Sequence, residues 1–228
     1  MKLYFVVTDA TSIEAEVVRK IQPERLLMSY HYFRTKGIYS FIEKIGYKPK
    51  EIILDSGAFS AATKGRNISP IDYMRFIDEN SEYIMRYIAL DVIGDPDLTR
   101  MYYDIMRFKG YNPVPVYHFG DEMKYLDYYV KQGADYVALG GCAREWSRGK
   151  VVQWVQGAIG KYPDVKFHFL GSSSRKITDH CDLYSADSST WIMQAINGYP
   201  KEIPGRTRES KVLRAEWQMK RLIEEYAV

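Results

Sequence analysis

Three aspartates punctuate this chain in the same way. Asp55 closes the run EIILD that starts at Glu51, Asp91 closes YIALD from Tyr87, and Asp187 closes DLYSAD from Asp182. Each follows apolar or small residues that would carry it to the end of a strand. One such aspartate needs no function, because it caps the next helix or makes an Asx-turn. Three in register are harder to dismiss. Carboxylates gathered in one partly apolar pocket desolvate and repel each other, a cost that persists where chemistry or recognition uses it.

Other residues join this set with a plainer alternative beside each. Ser172, Ser173, Ser174 and Arg175 follow the run KFHFLG from Lys166 and could hold a phosphate on backbone amides and a short helix. The plainer reading is a serine N-cap beside a solvated arginine. Lys64 and Arg66, and Arg144 and Arg148 after the Gly140-Gly141 pair, would project from the same rim as phosphate-positioning cations or as ordinary surface charges. Tyr30, His31 and Tyr32 end the second β-rich run, RLLMSYHYF from Arg25, on the substrate side. His168, inside KFHFLG, reads as a satisfied core histidine, and Cys142 as a small buried residue.

Elements that could position these residues can be counted. Eight β-rich runs start at Leu3, Arg25, Glu51, Tyr87, Pro113, Tyr136, Lys166 and Asp182, at intervals of 22, 26, 36, 26, 23, 30 and 16 residues. Several are apolar nearly throughout, as strands covered on both faces of a parallel sheet are. Eight strand-and-crossover units predict a (β/α)8 barrel of TIM type in a single domain, with function at the strand ends. The alternative is an open doubly wound sheet. Ser69-Pro70 with Asp72, and Asp95-Pro96, mark helix starts by N-cap, first-turn proline and first-turn acid. The last interval leaves room only for a turn or two of helix around Ser172 to Asp179. Residues 1–200 are read as the barrel and 201–228 as a basic C-terminal helix packed on it. That helix spans Arg208 to Tyr226, with Val212, Leu213, Trp217, Leu222 and Ile223 as its apolar face.

Composition narrows the class. With 46% hydrophobic and 27% charged residues and a net charge of +3 over 228 residues, the chain can bury a sizeable core and is not disordered. No stretch approaches the roughly 18 uncharged apolar residues of a bilayer helix, and no signal-peptide apolar region precedes Asp9. Cys142 and Cys181 form neither a disulfide framework nor a metal knuckle. A reducing cytoplasm fits best, and no metal or cofactor is implied. Residues 201–221 hold seven Lys/Arg against three Glu, which reads as a nucleic-acid contact or as a solvated helix face.

The stretch Asp55-Ser56-Gly57-Ala58-Phe59 resembles the DSGGF motif of the tRNA-guanine transglycosylases, barrel enzymes that exchange guanine for a 7-deazaguanine within a polynucleotide. The likeness runs in order from about Ile52 to Trp191 and is specific only in short motifs at strand ends. It implies Asp55 as general acid/base, Asp187 as nucleophile, and Asp91 as the group gripping the N1 and N2 edge of the base. It also implies Ser56, within the motif, as a base-site residue. Gly140 and Gly141 match a GG turn whose amides face the base carbonyl, and Phe59 and Leu170 match a stacking pair. His118 stands where the family has a glutamine contacting the base.

Those residue types suit the implied reaction. Retaining cleavage of an N-glycosidic bond needs a carboxylate nucleophile at the anomeric carbon and a second acid to protonate the departing base. Guanine offers two adjacent donors that one carboxylate can accept together, and apolar faces suit its plane. The chain departs from the tRNA-acting enzymes in lacking their C-x-C-x-x-C…H zinc module and in being far shorter. With DSGAFS and ADSSTW, it is similar to compact relatives in bacteriophages and bacterial DNA-modification clusters. The partners so implied are DNA, with tRNA as the alternative, and a 7-deazaguanine base such as 7-cyano-7-deazaguanine. A second copy or a helper protein that opens the duplex joins them. Outside this reading stand a non-catalytic nucleic-acid-binding subunit and a barrel lyase or aldolase holding a phosphorylated substrate at Ser172–Arg175.

Overall fold

The computed structural model describes residues 1–58, 68–142 and 147–226. Eight parallel strands form the sheet: β1 Lys2–Val7, β2 Arg25–Ser29, β3 Glu51–Asp55, β4 Arg86–Tyr87, β5 Val116–His118, β6 Tyr136–Gly140, β7 Lys166–Phe169 and β8 Ser185–Ser188. Their order is β4-β3-β2-β1-β8-β7-β6-β5, so chain neighbours are sheet neighbours and β1 pairs with β8. The two edges meet at an isolated parallel bridge between Ile88 and Val114. There Ala89 N–H donates to the Val114 carbonyl (2.7 Å) and Val114 N–H to the Tyr87 carbonyl (2.8 Å). The sheet thus curls round into a TIM-type barrel. Pro113 and Pro115 explain why this seam is so brief, because neither has an N–H to give to a ladder.

Alternation along the strands sorts the apolar residues into two layers. Tyr4, Leu27, Ile53, Ile88, Val114, Val116, Tyr136 and Ala138 form the inner cluster. Their neighbours Leu3, Phe5, Leu26, Met28, Ile52, Leu54, Val137, Leu139 and Phe167 face outward and pack with the helices. At the N-terminal end of the cylinder, Glu51 is buried and accepts from Lys2 (2.8 Å) and from the Tyr4 hydroxyl (2.5 Å). Following β3 upward, the inward positions are Glu51, Ile53 and Asp55, so the same alternation that buries Ile53 presents Asp55 at the opposite mouth.

The crossover helices start where the sequence signals them. The Ser69 side chain accepts from Asp72 N–H (3.3 Å) ahead of helix Pro70–Glu79, and Asp95 from Leu98 N–H (2.9 Å) ahead of Pro96–Phe108. The seventh crossover is a single turn, Arg175–Thr178. Tyr103 and Tyr129 pack between crossover helices at a ring separation of 5.1 Å. Two expectations need correction. The second run stays extended only to Ser29, and Tyr30–Phe33 forms a helical turn. Pairing with β3 ends at Ser29 and Asp55, and the turn buries Tyr30, His31 and Phe33, so packing overrides the β preference of the aromatics.

The C-terminal helix Arg208–Tyr226 is present, but its buried face is Val212, Ala215, Met219 and Leu222, whereas Leu213, Trp217 and Ile223 are exposed. What sets that phase is Arg214. It is buried and donates to the carbonyls of Ala195 (2.9 Å), Ile203 (2.8 Å) and Gly205 (3.0 Å), pinning the segment before the helix. One of the basic tail's charges is therefore structural. No helix among the described residues is long and apolar enough to cross a membrane.

Candidate active site

Asp55 stands at the end of β3, where the chain turns sharply through Gly57 (φ 74°). The turn needs glycine, since a Cβ there would lie 2.5 Å from Ser29 Oγ and 2.6 Å from His31 Cβ. Gly57 N–H donates to Asp55 Oδ2 at 2.9 Å. Although part of its surface reaches the mouth, Asp55 is ringed by protein. Its pKa is raised to about 7, first by burial and then by the negative charges of Asp91 and Asp187, against the amides of Gly57 and Ser56. Acids from β3, from beyond β4 and from β8 thus feel one another at one mouth of the barrel.

Asp91 is held from two sides. Its Oδ1 accepts from the fully buried Ser56 hydroxyl (2.9 Å), and its Oδ2 lies 3.0 Å from His118 Nε2. On its other side His118 places Nδ1 3.6 Å from Asp121 Oδ2, an electrostatic contact longer than a hydrogen bond. Burial lowers the His118 pKa, but Asp121 and Asp91 together outweigh it and raise the group to about 9. His118 is therefore an imidazolium at neutral pH, with both nitrogens turned to carboxylates.

Gly140 ends β6 beside that ring, and a Cβ on it would come within 3.1 Å of His118 Cδ2 and 3.5 Å of Leu170 Cδ1. Gly141 follows at φ 80°, packed against the Phe119 amide. Gly140, Gly141, His118 and Leu170 are thus neighbours.

Asp187 lies within β8, buried, opposite Tyr4 in the register with β1. Its Oδ1 receives two donors, Gly171 N–H at 2.8 Å and His168 Nε2 at 3.2 Å. His168, expected to be a satisfied core histidine, is buried with both ring nitrogens hydrogen-bonded, and the sequence did not show that one partner is Asp187. It sits in an apolar run that resembles core, and only its inward register on β7, opposite Ser185, brings it beneath Asp187.

The expected phosphate cradle is built differently. Arg175 Nε binds Asp179 (3.0 and 3.2 Å) and lies 3.6 Å from Glu225, so its charge is engaged by two carboxylates. Ser172 Oγ accepts from Ser174 N–H, and the Ser173 carbonyl accepts from the Tyr226 hydroxyl of the C-terminal helix. Arg148 is exposed at the start of helix Arg148–Lys161. Phe59, Lys64, Arg66 and Arg144 lie outside the described residues. A separate surface groove of about 740 Å³ lies along the last two helices, lined by Gln194, Tyr199, Lys201, Trp217 and Arg221, and includes none of Asp55, Asp91 and Asp187. Among the described residues no group of three or more His, Cys, Asp or Glu is arranged to hold a metal ion.

No protein-family model matches the chain, and no curated protein matches it. Solved structures do. The YdjI aldolase from Escherichia coli K12 superposes with a TM-score of 0.57 at 14% identity, over 98% of this chain and 89% of that one. The tryptophan synthase alpha chain from Legionella pneumophila gives 0.56 at 10%, over 99% and 91%. Orotidine 5'-monophosphate decarboxylase from Methanocaldococcus jannaschii gives 0.53 at 12%, over 96% and 98%. At such identities the likeness shows the barrel fold alone.

Proposed function

We propose that this chain is an enzyme, a transglycosylase that replaces guanine in DNA with a 7-deazaguanine through a covalent aspartyl-sugar intermediate. The observation that carries the reading is the convergence of Asp55, Asp91 and Asp187 at one mouth, with Asp55 brought to about 7. A carboxyl that is half protonated near neutrality can both give and take a proton, which base exchange requires of a single residue. Asp187 supplies the nucleophile.

In the forward half-reaction, Asp187 Oδ2 attacks C1′ of the target nucleoside as the C1′–N bond to guanine breaks, and Asp55 passes its proton to the departing base. In the second half, the incoming 7-deazaguanine gives its N9 proton to the Asp55 carboxylate and attacks C1′, and Asp187 leaves as carboxylate. Asp91 accepts the N1 and N2 donors of either base, its two oxygens fixed beforehand by Ser56 and His118. The nucleotide must be flipped out of a duplex or presented single-stranded.

The forms DSGAFS and ADSSTW favour DNA over tRNA. The test is exchange of radiolabelled guanine into DNA and tRNA side by side, with nucleoside mass spectrometry after 7-cyano-7-deazaguanine is supplied. Label entering DNA supports the reading, label entering only tRNA reassigns the substrate, and no exchange into either refutes it. Asp187→Asn should lose the trapped protein–DNA adduct while retaining DNA binding, and an adduct that persists would mean another nucleophile.

A further inference from the structure

A line of hydrogen bonds crosses the inside of the barrel beneath Asp187. The Tyr136 hydroxyl meets Ser185 Oγ at 2.6 Å, Ser185 Oγ meets His168 Nδ1 at 2.8 Å, and His168 Nε2 meets Asp187 Oδ1 at 3.2 Å. All four side chains are buried, and they stand on three neighbouring strands, β6, β7 and β8. Donor inventory gives the line a direction. A carboxylate only accepts, so Nε2 carries a ring proton; in the neutral imidazole Nδ1 then accepts, so Ser185 donates to it and Ser185 Oγ in turn receives the Tyr136 proton. Each hydroxyl and ring proton is used once, and none is left over.

The ring itself has little freedom. Tyr4 meets His168 edge-on at 5.7 Å, Tyr136 is stacked at 6.3 Å, and the Arg86 guanidinium lies 4.7 Å from the Tyr136 ring centre. Gly171 N–H completes the hold, so two N–H groups converge on Oδ1 of Asp187. Among the described residues no donor is bound to Oδ2.

We propose that His168 is a positioning residue: as the Nε2–H tautomer set by Ser185 and Tyr136, it anchors one oxygen of Asp187 and leaves the other free to attack. This rests on the transglycosylase reading, in which Asp187 is the nucleophile. An anchored carboxylate presents Oδ2 along one line, whereas an unanchored one rotates about its Cβ–Cγ bond and spends its time in unproductive orientations. His168 touches no substrate and acts only through Asp187, so its loss should show in the chemical step and not in DNA binding.

The test combines spectroscopy and kinetics on the full chain. With ¹⁵N-histidine labelling at pH 8, long-range ¹H–¹⁵N correlation should show His168 protonated on Nε2 alone; a proton on Nδ1 overturns the inference. His168→Phe, close in size but without either nitrogen, should lower kcat for guanine exchange by about 10²-fold, with KM for DNA nearly unchanged. His168→Gln, which keeps a donor near the Nε2 position, should recover a tenfold share of that loss, about one order of magnitude. Should His168→Phe not fold, Ser185→Ala carries the same test: removing the donor to Nδ1 should let the Nδ1–H tautomer appear and kcat fall. An active wild type whose variants keep kcat overturns the inference alone. A wild type that exchanges no guanine removes the reading on which it rests, and the two failures are thereby told apart.

Discussion

Asp55 is the group whose environment makes the sharpest demand. Its ordinary pKa is 3.8 and its native value about 7, so between those limits the folded protein holds a proton that the unfolded chain has released. Stability must then fall as pH rises through that window, because raising the pH forces the native state to give up a proton it binds more tightly. At about 1.4 kcal/mol per pK unit, the full loss is at most about 4 kcal/mol, a ceiling because the carboxyl keeps a path to solvent and part of the repulsion is screened. Asp55→Asn removes the charge, keeps the shape, and retains an oxygen to accept from Gly57 N–H. Near pH 4 the two proteins should be almost equally stable. At pH 8 the variant should be the more stable by up to about 4 kcal/mol. Urea unfolding at steps between pH 4 and 8 measures the gap directly, and groups that titrate alike in both proteins cancel from it. A gap that stays flat with pH, or an asparagine variant less stable at pH 8, would refute the clustering of acids on which the site is built.

Three further outcomes follow from contacts described above. His118, raised to about 9 against an ordinary 6.5, contributes stability that is complete below pH 6.5 and lost as pH climbs through 9. The penalty of His118→Gln should therefore shrink by up to about 3 kcal/mol between pH 6 and pH 10, as read by denaturation at each pH. Gly57→Ala should destabilise by about 2 to 4 kcal/mol, since it adds a positive-φ penalty to contacts of 2.5 and 2.6 Å; an unchanged melting temperature would contradict the turn geometry. Arg214→Met leaves the carbonyls of Ala195, Ile203 and Gly205 without their donor and should cost about 2 to 4 kcal/mol in thermal unfolding, with base exchange per folded molecule unaltered.

The fold was legible because its signals are local. Apolar runs that stop at an aspartate, Ser-Pro and Asp-Pro helix starts, and a last interval too short for a long helix each state their structure within a few residues. The acids could be singled out for the same reason. What escaped depends on which side of a strand faces in. His168 lies in a run where both faces are buried, so hydrophobicity carries no phase, and only its pairing opposite Ser185 reveals the inward direction. The C-terminal helix misled similarly: Leu213 and Trp217 were grouped with Val212 and Leu222 as one apolar face, yet they are exposed while Arg214 is buried on its carbonyl partners. Two signals were present and readable. Asp179 stands four residues after Arg175, the spacing of a helical ion pair, and two prolines around Val114 forbid a long ladder there.

That proline-flanked seam bears on how the cylinder yields. Seven of its joints are ladders, whereas β4 and β5 touch through the single bridge of Ile88 and Val114, three residues before Asp91. Amide protons at Ala89 and Val114 should be the first of the staves to exchange with solvent, and that softness lies directly before Asp91 in the chain. Asp187, by contrast, stands on a strand laddered on both sides, so rigidity and give are divided between the two halves of one mouth.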